Sequence, residues 1–336
     1  MNINTTISGS LPKPSWLAEG EKIWAPWKLS GEELLEAKAD ALKIAVSDQD
    51  LAGISIICDG EQTRQHFVTT FIEGLSGVNF QDKKTVKIRD RYDAEVPIIF
   101  EKVHRKKPVF LNDAKLLRSL TKKPIKYTLP GPMTMIDTLY DNFYGSREKL
   151  AFEFAEILNE EAKELCDAGV DIIQFDEPAF NVFFDDVKNW GISALERACE
   201  GLNKTAVHIC YGYGIEANIK WKNTLGNEWR QYENIFPALA NSSINQVSLE
   251  CINSKVPIEL ISLLNNKEVM IGVIDVASNE IETPDNINQV LKNASNYIDK
   301  KNIIACTNCG LVPLKRKVAR QKLSALVEGA KIFSES

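Results

Sequence analysis

Eight short stretches of the chain share one pattern, an apolar or β-branched run that ends in polar or small residues. They cover residues 4–10, 53–61, 125–132, 171–178, 205–210, 245–250, 269–275 and 302–310. Runs of that length bounded by turn residues read as strands buried on both faces. Between most of them, apolar residues recur every three or four positions, as on an amphipathic helix. Residues 31–46 do so, and 147–168 do so up to Gly169, a residue that favours helix C-termini. Residues 191–202, 256–265, 285–298 and 314–331 continue the alternation. Eight strands alternating with helices predict an α/β fold, a single (β/α)8 TIM barrel. A doubly wound sheet would use fewer strands, and no GxGxxG follows the first one.

Residues 85–101 break this rhythm by alternating like two strands around a polar turn, which predicts a hairpin or flap inserted between the second and third barrel strands. No linker rich in Pro, Gly or Ser divides the chain, so residues 1–336 read as one catalytic domain. The 336 residues are 44% hydrophobic and 26% charged, and 40 basic against 46 acidic side chains give a net charge of −6. With no basic block, neither nucleic acid nor an anionic membrane is an expected partner. The first residues lack a basic start and apolar core, and no apolar run approaches the ~20 residues that span a bilayer. Seven cysteines, an odd number, suit reduced thiols in a cytoplasmic protein.

The chemistry concentrates where the predicted strands end. In such barrels, working groups come from the C-terminal strand ends. Here these carry Ser8-Gly9-Ser10, Asp59-Gly60-Glu61, Asp176-Glu177-Pro178, His208-Ile209-Cys210, Glu250-Cys251, Asp275 and Cys306-Thr307-Asn308-Cys309. Residues two apart on a strand share a face, so His208 and Cys210 can turn to one centre. With Glu250 and Cys309 they make one imidazole, two thiolates and one carboxylate, a donor set suited to tetrahedral zinc. Blander readings fit other residues. Cys58, Cys166 and Cys199 read as core, Cys251 as structural on the opposite strand face, and His104, among lysines and arginines, as solvated. His66 falls in a helix-like stretch near the second strand end. Cys306 and Cys309 form a CxxC, but one that opens no helix as a redox pair would. Asp176, Glu177 and Glu61 could also serve as helix caps; Glu177 points to the other face and reads as structural.

The set VHIC, SLEC, TNCG, DEPA and DGE, with an early SGSLP, resembles the catalytic barrel of cobalamin-independent methionine synthase over essentially the whole chain, in a short form without the amino-terminal barrel. The resemblance implies zinc bound by His208, Cys210, Glu250 and Cys309. It implies homocysteine held by Asp176 and Glu61 at its amino group, and by Ser8, Gly9 and Ser10 at its carboxylate. It further implies methyl transfer to the homocysteine thiol. Three positions depart from the family. Ala277 stands where the long enzyme has a proton-donating histidine, Thr138 where a tryptophan lies under the folate pterin, and Val182 where a glutamate touches homocysteine. The expected donor is therefore methylfolate, a methylcorrinoid or a methyl group delivered by a partner protein, with the departures favouring the last two. The rival readings are a zinc thiol alkyltransferase acting on another thiol such as coenzyme M, a metal-free decarboxylase on the same fold, and a non-catalytic zinc scaffold.

Overall fold

A computed structural model describes residues 2–336. In chain order its strands are β1 (Asn4–Thr5), β2 (Leu75–Ile88), β3 (Tyr92–Arg105), β4 (Lys126–Pro130), β5 (Tyr140–Asp141), β6 (Ile172–Asp176), β7 (Thr205–His208), β8 (Gln246–Glu250), β9 (Glu268–Ile274) and β10 (Ile303–Thr307). Seven of them form one parallel sheet in the order β1-β10-β9-β8-β7-β6-β4. All residues of β4, β6, β7, β8 and β10 are buried, as their continuous apolar runs require when both faces are covered.

Residues 54–58, expected as the second strand, register only as an isolated parallel bridge between Ile57 and Ile125. They nonetheless touch both edges of the sheet. Ile56 N–H donates to Thr5 O at 3.0 Å, Ile57 N–H to Pro124 O at 3.0 Å, and Ile57 O accepts from Lys126 N–H at 2.8 Å. The ladder is interrupted because hydroxyls take backbone positions in it: Thr5 N–H donates to Ser55 Oγ and Ser55 N–H to Thr5 Oγ1, at 2.8 and 2.9 Å. The result is a curled parallel α/β sheet consistent with a TIM-like barrel. Ile56, Ile172, Ala206, Met270, Ile304 and Cys306 pack as one interior cluster, the layered filling that such barrels use.

The main covering helices are Gly31–Ala52, Arg147–Asp167 and Arg316–Glu335. The stretch 256–265, expected as a helix of the same kind, is a 3₁₀ helix, Ile258–Leu264. Only seven residues separate Pro257 from Asn265, and short connections favour the tighter turn. No helix among the described residues is long and apolar enough to cross a membrane.

Between residues 54–58 and β4, β2 and β3 pair antiparallel from Leu75 with Arg105 out to Ile88 with Tyr92, so residues 85–101 are the outer part of a longer hairpin. Val96, Ile99 and Val103 of the hairpin are buried, and β5 adds a short parallel pairing to β3. At the tip Arg91 N–H closes a turn onto Ile88 O at 2.9 Å, with Arg89 and Asp90 at φ 47° and 55°. Both are left-handed, which this turn geometry normally assigns to Asn-Gly.

Candidate metal centre and active site

His208 is the last residue of β7, and Cys210 lies one step beyond it on the same side. Cys309 follows β10, whose register shifts between Cys306 and Thr307. The ligand atoms of these three buried residues lie within 4.8 Å of one another, and the two sulfurs are 3.2 Å apart. His208 Nδ1 is 2.7 Å from Ser248 Oγ, while its buried Nε2 has no hydrogen-bond partner. A ring fixed through one nitrogen and free at the other is the arrangement of a metal-binding histidine. Cys309, by sharing a hydrogen bond, holds the Cys210 thiol well below its usual range against the effect of burial, and His208 adds to the pull. An orphaned imidazole nitrogen facing an acidified thiol and a second thiol fits a soft divalent metal.

Glu250 ends β8 and is buried, but its carboxylate is engaged elsewhere: Oε1 accepts from Tyr211 N–H at 2.8 Å and Oε2 lies 3.2 Å from Lys222 Nζ. The structure thus gathers three of the four sequence-derived ligands and sets the fourth beside them.

The proposed substrate contacts converge on the same cavity of about 50 Å³, which Ser8, Gly9, Ser10, Glu61, Asp176 and the metal-type cluster line together. At roughly 10–15 Å³ per water-sized group, that is room for a few heavy groups. Asp176 ends β6, with Oδ1 accepting from Gln174 Nε2 at 2.7 Å; burial, opposed by His208 and reinforced by Glu61, pushes its carboxyl up to about 7. Burial likewise raises Glu61, which Thr128 Oγ1 holds at 2.9 Å. Gly9 leaves room for that carboxylate: a Cβ at its position would stand 2.6 Å from Glu61 Oε1 and push it aside. Ser10 Oγ is buried without a partner, whereas Ser8 Oγ donates to Thr307 O at 2.7 Å and so ties β1 to β10.

Glu177 faces away, accepting Met133 N–H and Thr134 N–H at 2.9 Å each, at the N-terminus of the helix Pro132–Ile136. Its cap therefore serves another helix than the one after Pro178. His66 lines the cavity and His104 is exposed. Burial, with Arg89 and Lys13 nearby, pushes the His66 pKa down to about 3, so the ring is neutral. Residues outside the strand-end motifs also line the cavity, Arg89, Arg91, Tyr213 and Asn218 among them. For Arg89, Arg91 and Tyr213 the trace in the sequence is the polar hairpin turn and the YGYG run after Cys210; Asn218 leaves none.

By fold and sequence the chain is a catalytic domain of the cobalamin-independent synthase type: that family's catalytic-domain model matches residues 3–332, and the chain belongs to the family. Its relatives are methyltransferases named methionine synthase. The enzyme of Sulfurisphaera tokodaii is 33% identical over 98% of this chain and 92% of its own, and that of Saccharolobus solfataricus 31% identical over 98% and 95%. A solved structure of a B12-independent methionine synthase from Shewanella sp. W3-18-1, in complex with selenomethionine, is 62% identical with a TM-score of 0.98, covering 100% of this chain and 98% of that one. A methyltransferase from Methanosarcina mazei, 15% identical with a TM-score of 0.67 over 99% and 94%, shares the fold. The chain is thus a methyltransferase of the methionine synthase family.

Proposed function

We propose that this chain, working as a single catalytic (β/α)8 barrel with residues 54–58 as its second stave, transfers a methyl group to the thiol of homocysteine to give methionine. The observation that carries the reading is the His208–Cys210–Cys309 cluster at a cavity that Asp176 and Glu61 also line. Those residues would hold zinc, with Glu250 as fourth ligand once its carboxylate exchanges Lys222 for the metal. Zinc, when bound, supplies the positive charge that strips a thiol of its proton near neutral pH.

The chain's own groups do the rest. Asp176 and Glu61, ionised, receive the amino group, and Ser10 Oγ with the backbone around Gly9 meets the carboxylate. Held this way, the thiolate attacks the methyl carbon in line. The S–CH₃ bond forms as the donor–CH₃ bond breaks, and the donor keeps the electron pair. The Shewanella relative's complex with selenomethionine, an analogue of the product, supports an amino-acid site of this kind. A sulfonate thiol such as coenzyme M would meet two carboxylates at the same place. Seven reduced thiols suit a cytosolic enzyme.

The donor half supports a methylcorrinoid or a partner-delivered methyl group over methylfolate. Thr138 turns its hydroxyl to Met135 O at 2.9 Å, and next to it Asp137 takes Arg89 of the hairpin tip at 3.5 Å. Thr138, which the resemblance sets at the position of the family's pterin-stacking tryptophan, is buried and offers no ring on which a pterin could stack. Ala277, in place of the family's histidine, has no proton to give. The test is Cys309→Ser: zinc content should fall from one per chain towards zero with the fold intact by circular dichroism. The wild-type protein with zinc and homocysteine should turn over a methylcorrinoid and not free methylfolate. Full zinc retention in the variant would reject the ligand set, and methylfolate turnover by the isolated chain would reject the donor preference.

A further inference from the structure

Glu61 stands in a backbone conformation that its residue type rarely adopts, and a charged relay behind it accounts for that choice. Its φ is 55°, directly after Gly60 at 62°. Glycine would take both positions without strain, so the side chain at 61 is kept for its carboxylate. Two hydrogen bonds lock the turn. Glu61 N–H donates to Asp59 Oδ1 at 3.1 Å, and Glu61 O accepts from Arg64 N–H at 3.2 Å. Residues in this region persist where the surrounding structure over-determines them, and they gather at functional sites. Arg64 supplies that surrounding structure. It is fully buried, with its guanidinium carbon 4.6 Å from the ring centroids of both Phe110 and Tyr127.

The direction of the relay follows from which groups can only donate. Arg64 Nη2 donates to Asp59 Oδ2 at 2.8 Å, so that carboxylate matches the cation. Nη1 donates to Thr128 O and to Thr128 Oγ1, at 2.8 Å each. A guanidinium has no lone pair to offer, and a threonine hydroxyl has one proton. The Thr128 proton is therefore turned away from Arg64 and onto Glu61 Oε1, 2.9 Å away. That oxygen has to accept, which favours the ionised carboxylate. Burial raises the Glu61 carboxyl and Asp59 adds to the rise, while Arg64, Thr128 and Lys13 pull it back. Arg64 Nη1 itself is 3.9 Å from Oε1, beyond a hydrogen bond, so Glu61 keeps its charge for another cation.

We infer that Thr128 is a positioning residue for homocysteine: set by the Asp59–Arg64 pair, its hydroxyl fixes the Glu61 carboxylate where it receives the ammonium group. This deepens the homocysteine methyltransferase reading and rests on it. Glu61 lines the cavity, whereas Asp59, Arg64 and Thr128 stand behind its wall and act through Glu61. Oε1 is taken by the relay, which leaves Oε2 for the substrate. Thr128 belongs to β4 and Glu61 to the loop after residues 54–58, so the relay also fixes the distance between two neighbouring staves at the site. A thiol without an amino group gains nothing from it.

The test uses the zinc-loaded protein and calorimetric titration with homocysteine and with γ-mercaptobutyrate, the same molecule without its amino group. Thr128→Val keeps the shape and the backbone acceptor and removes the hydroxyl. It should weaken homocysteine by about tenfold, the scale of a hydrogen bond to a charged group, and change γ-mercaptobutyrate by less than about twofold. Thr128→Ser, which restores a hydroxyl, should recover most of the loss. Arg64→Lys, which keeps the charge beside Asp59 and gives up the planar fork, should show the same selective loss. Crystal structures of wild type and Thr128→Val should differ in the place of the Glu61 carboxylate. Equal homocysteine affinity in Thr128→Val, an equal loss for both thiols, or a Glu61 carboxylate that stays in place would each overturn the proposal. Wild-type affinity in Arg64→Lys would overturn the part given to the Asp59–Arg64 pair. If wild type binds no homocysteine while Glu61 still moves in Thr128→Val, the function reading falls and the positioning of Glu61 stands.

Discussion

In the proposed zinc site, the pairing of Lys222 with Glu250 would compete with Glu250 as a ligand. A carboxylate paired with lysine at 3.2 Å in a buried setting is held where it lies, and to serve as a ligand it would have to leave that partner. Lys222→Met removes the competitor. The variant should hold zinc more tightly, by about 1.5–3 kcal/mol, the scale of a hydrogen bond to a charged group, and should need more homocysteine, because Glu250 would be held more firmly at the site. Chelator competition and KM for homocysteine read the two effects, and unchanged values in both would reject the exchange. Lys13 poses a different problem, a buried amine that burial brings down to about 8 despite the attraction of Glu61. The unfolded chain keeps that proton up to about 10.5 and the folded chain only to about 8, so native stability rises as pH climbs between those values. Below pH 8 the charged amine costs about 3 kcal/mol. Lys13→Met should therefore be more stable than wild type to urea at pH 7, with the gap closing near pH 10.5.

Among the elements, the segment after Cys210 carries the site and is held by aromatic packing. Tyr211 meets Trp229 at 5.1 Å and Tyr232 at 5.2 Å between ring centroids, Tyr232 stacks on Phe236 at 4.6 Å, and Tyr232 OH donates to Ile209 O at 2.8 Å. Gly212, at φ 95°, is where this segment meets the hairpin. A Cβ there would stand 2.5 Å from Asn218 Nδ2 and 3.0 Å from Arg91 Nη1. Gly212→Ala should cost about 1–3 kcal/mol from the backbone alone and undock the tip. Trypsin should then cut at Arg89 and Arg91 about tenfold faster for each 1.4 kcal/mol lost from docking; an unaltered cleavage rate would mean the tip is not held there. None of this buttress was legible in the sequence. Residues 211–236 have no apolar period, and the contact of Lys222 with Glu250 is set by the fold rather than by spacing. Strands β4, β6, β7, β8 and β10 were legible because each is an unbroken buried run, and the candidate ligand types drew notice because they stand at or just past the ends of such runs. The hairpin was legible only in its outer half, since bulges near Gly77 and after Asn79 break the alternation of β2.

At the scale of the molecule, the interior of the curled sheet and the site are joined by one chain of hydrogen bonds. Lys126, fully buried on β4, donates to Ile7 O at 2.8 Å and to Gln174 Oε1, and Gln174 Nε2 donates in turn to Ser8 O and to Asp176 Oδ1. A lysine inside the sheet thus links β4 and β6 to residues 7 and 8, and its far end orients the carboxylate assigned to the amino group of homocysteine. Replacing Lys126 by Met changes stability in two opposing directions. It removes a buried charge with no carboxylate partner, which favours the variant, and it strips Ile7 O and Gln174 Oε1 of a donor, at about 1–3 kcal/mol each. Stability is therefore a poor readout of what this lysine does. The orientation of Asp176 is a sharper one, because Gln174, released at one end, can turn and leave the carboxylate unheld. Lys126→Met should raise KM for homocysteine about tenfold or more, the worth of a hydrogen bond to a charged group, with zinc content unchanged and kcat little altered. A KM equal to that of wild type would show that Asp176 is positioned by β6 alone and that the interior lysine serves only to fill the space inside the sheet.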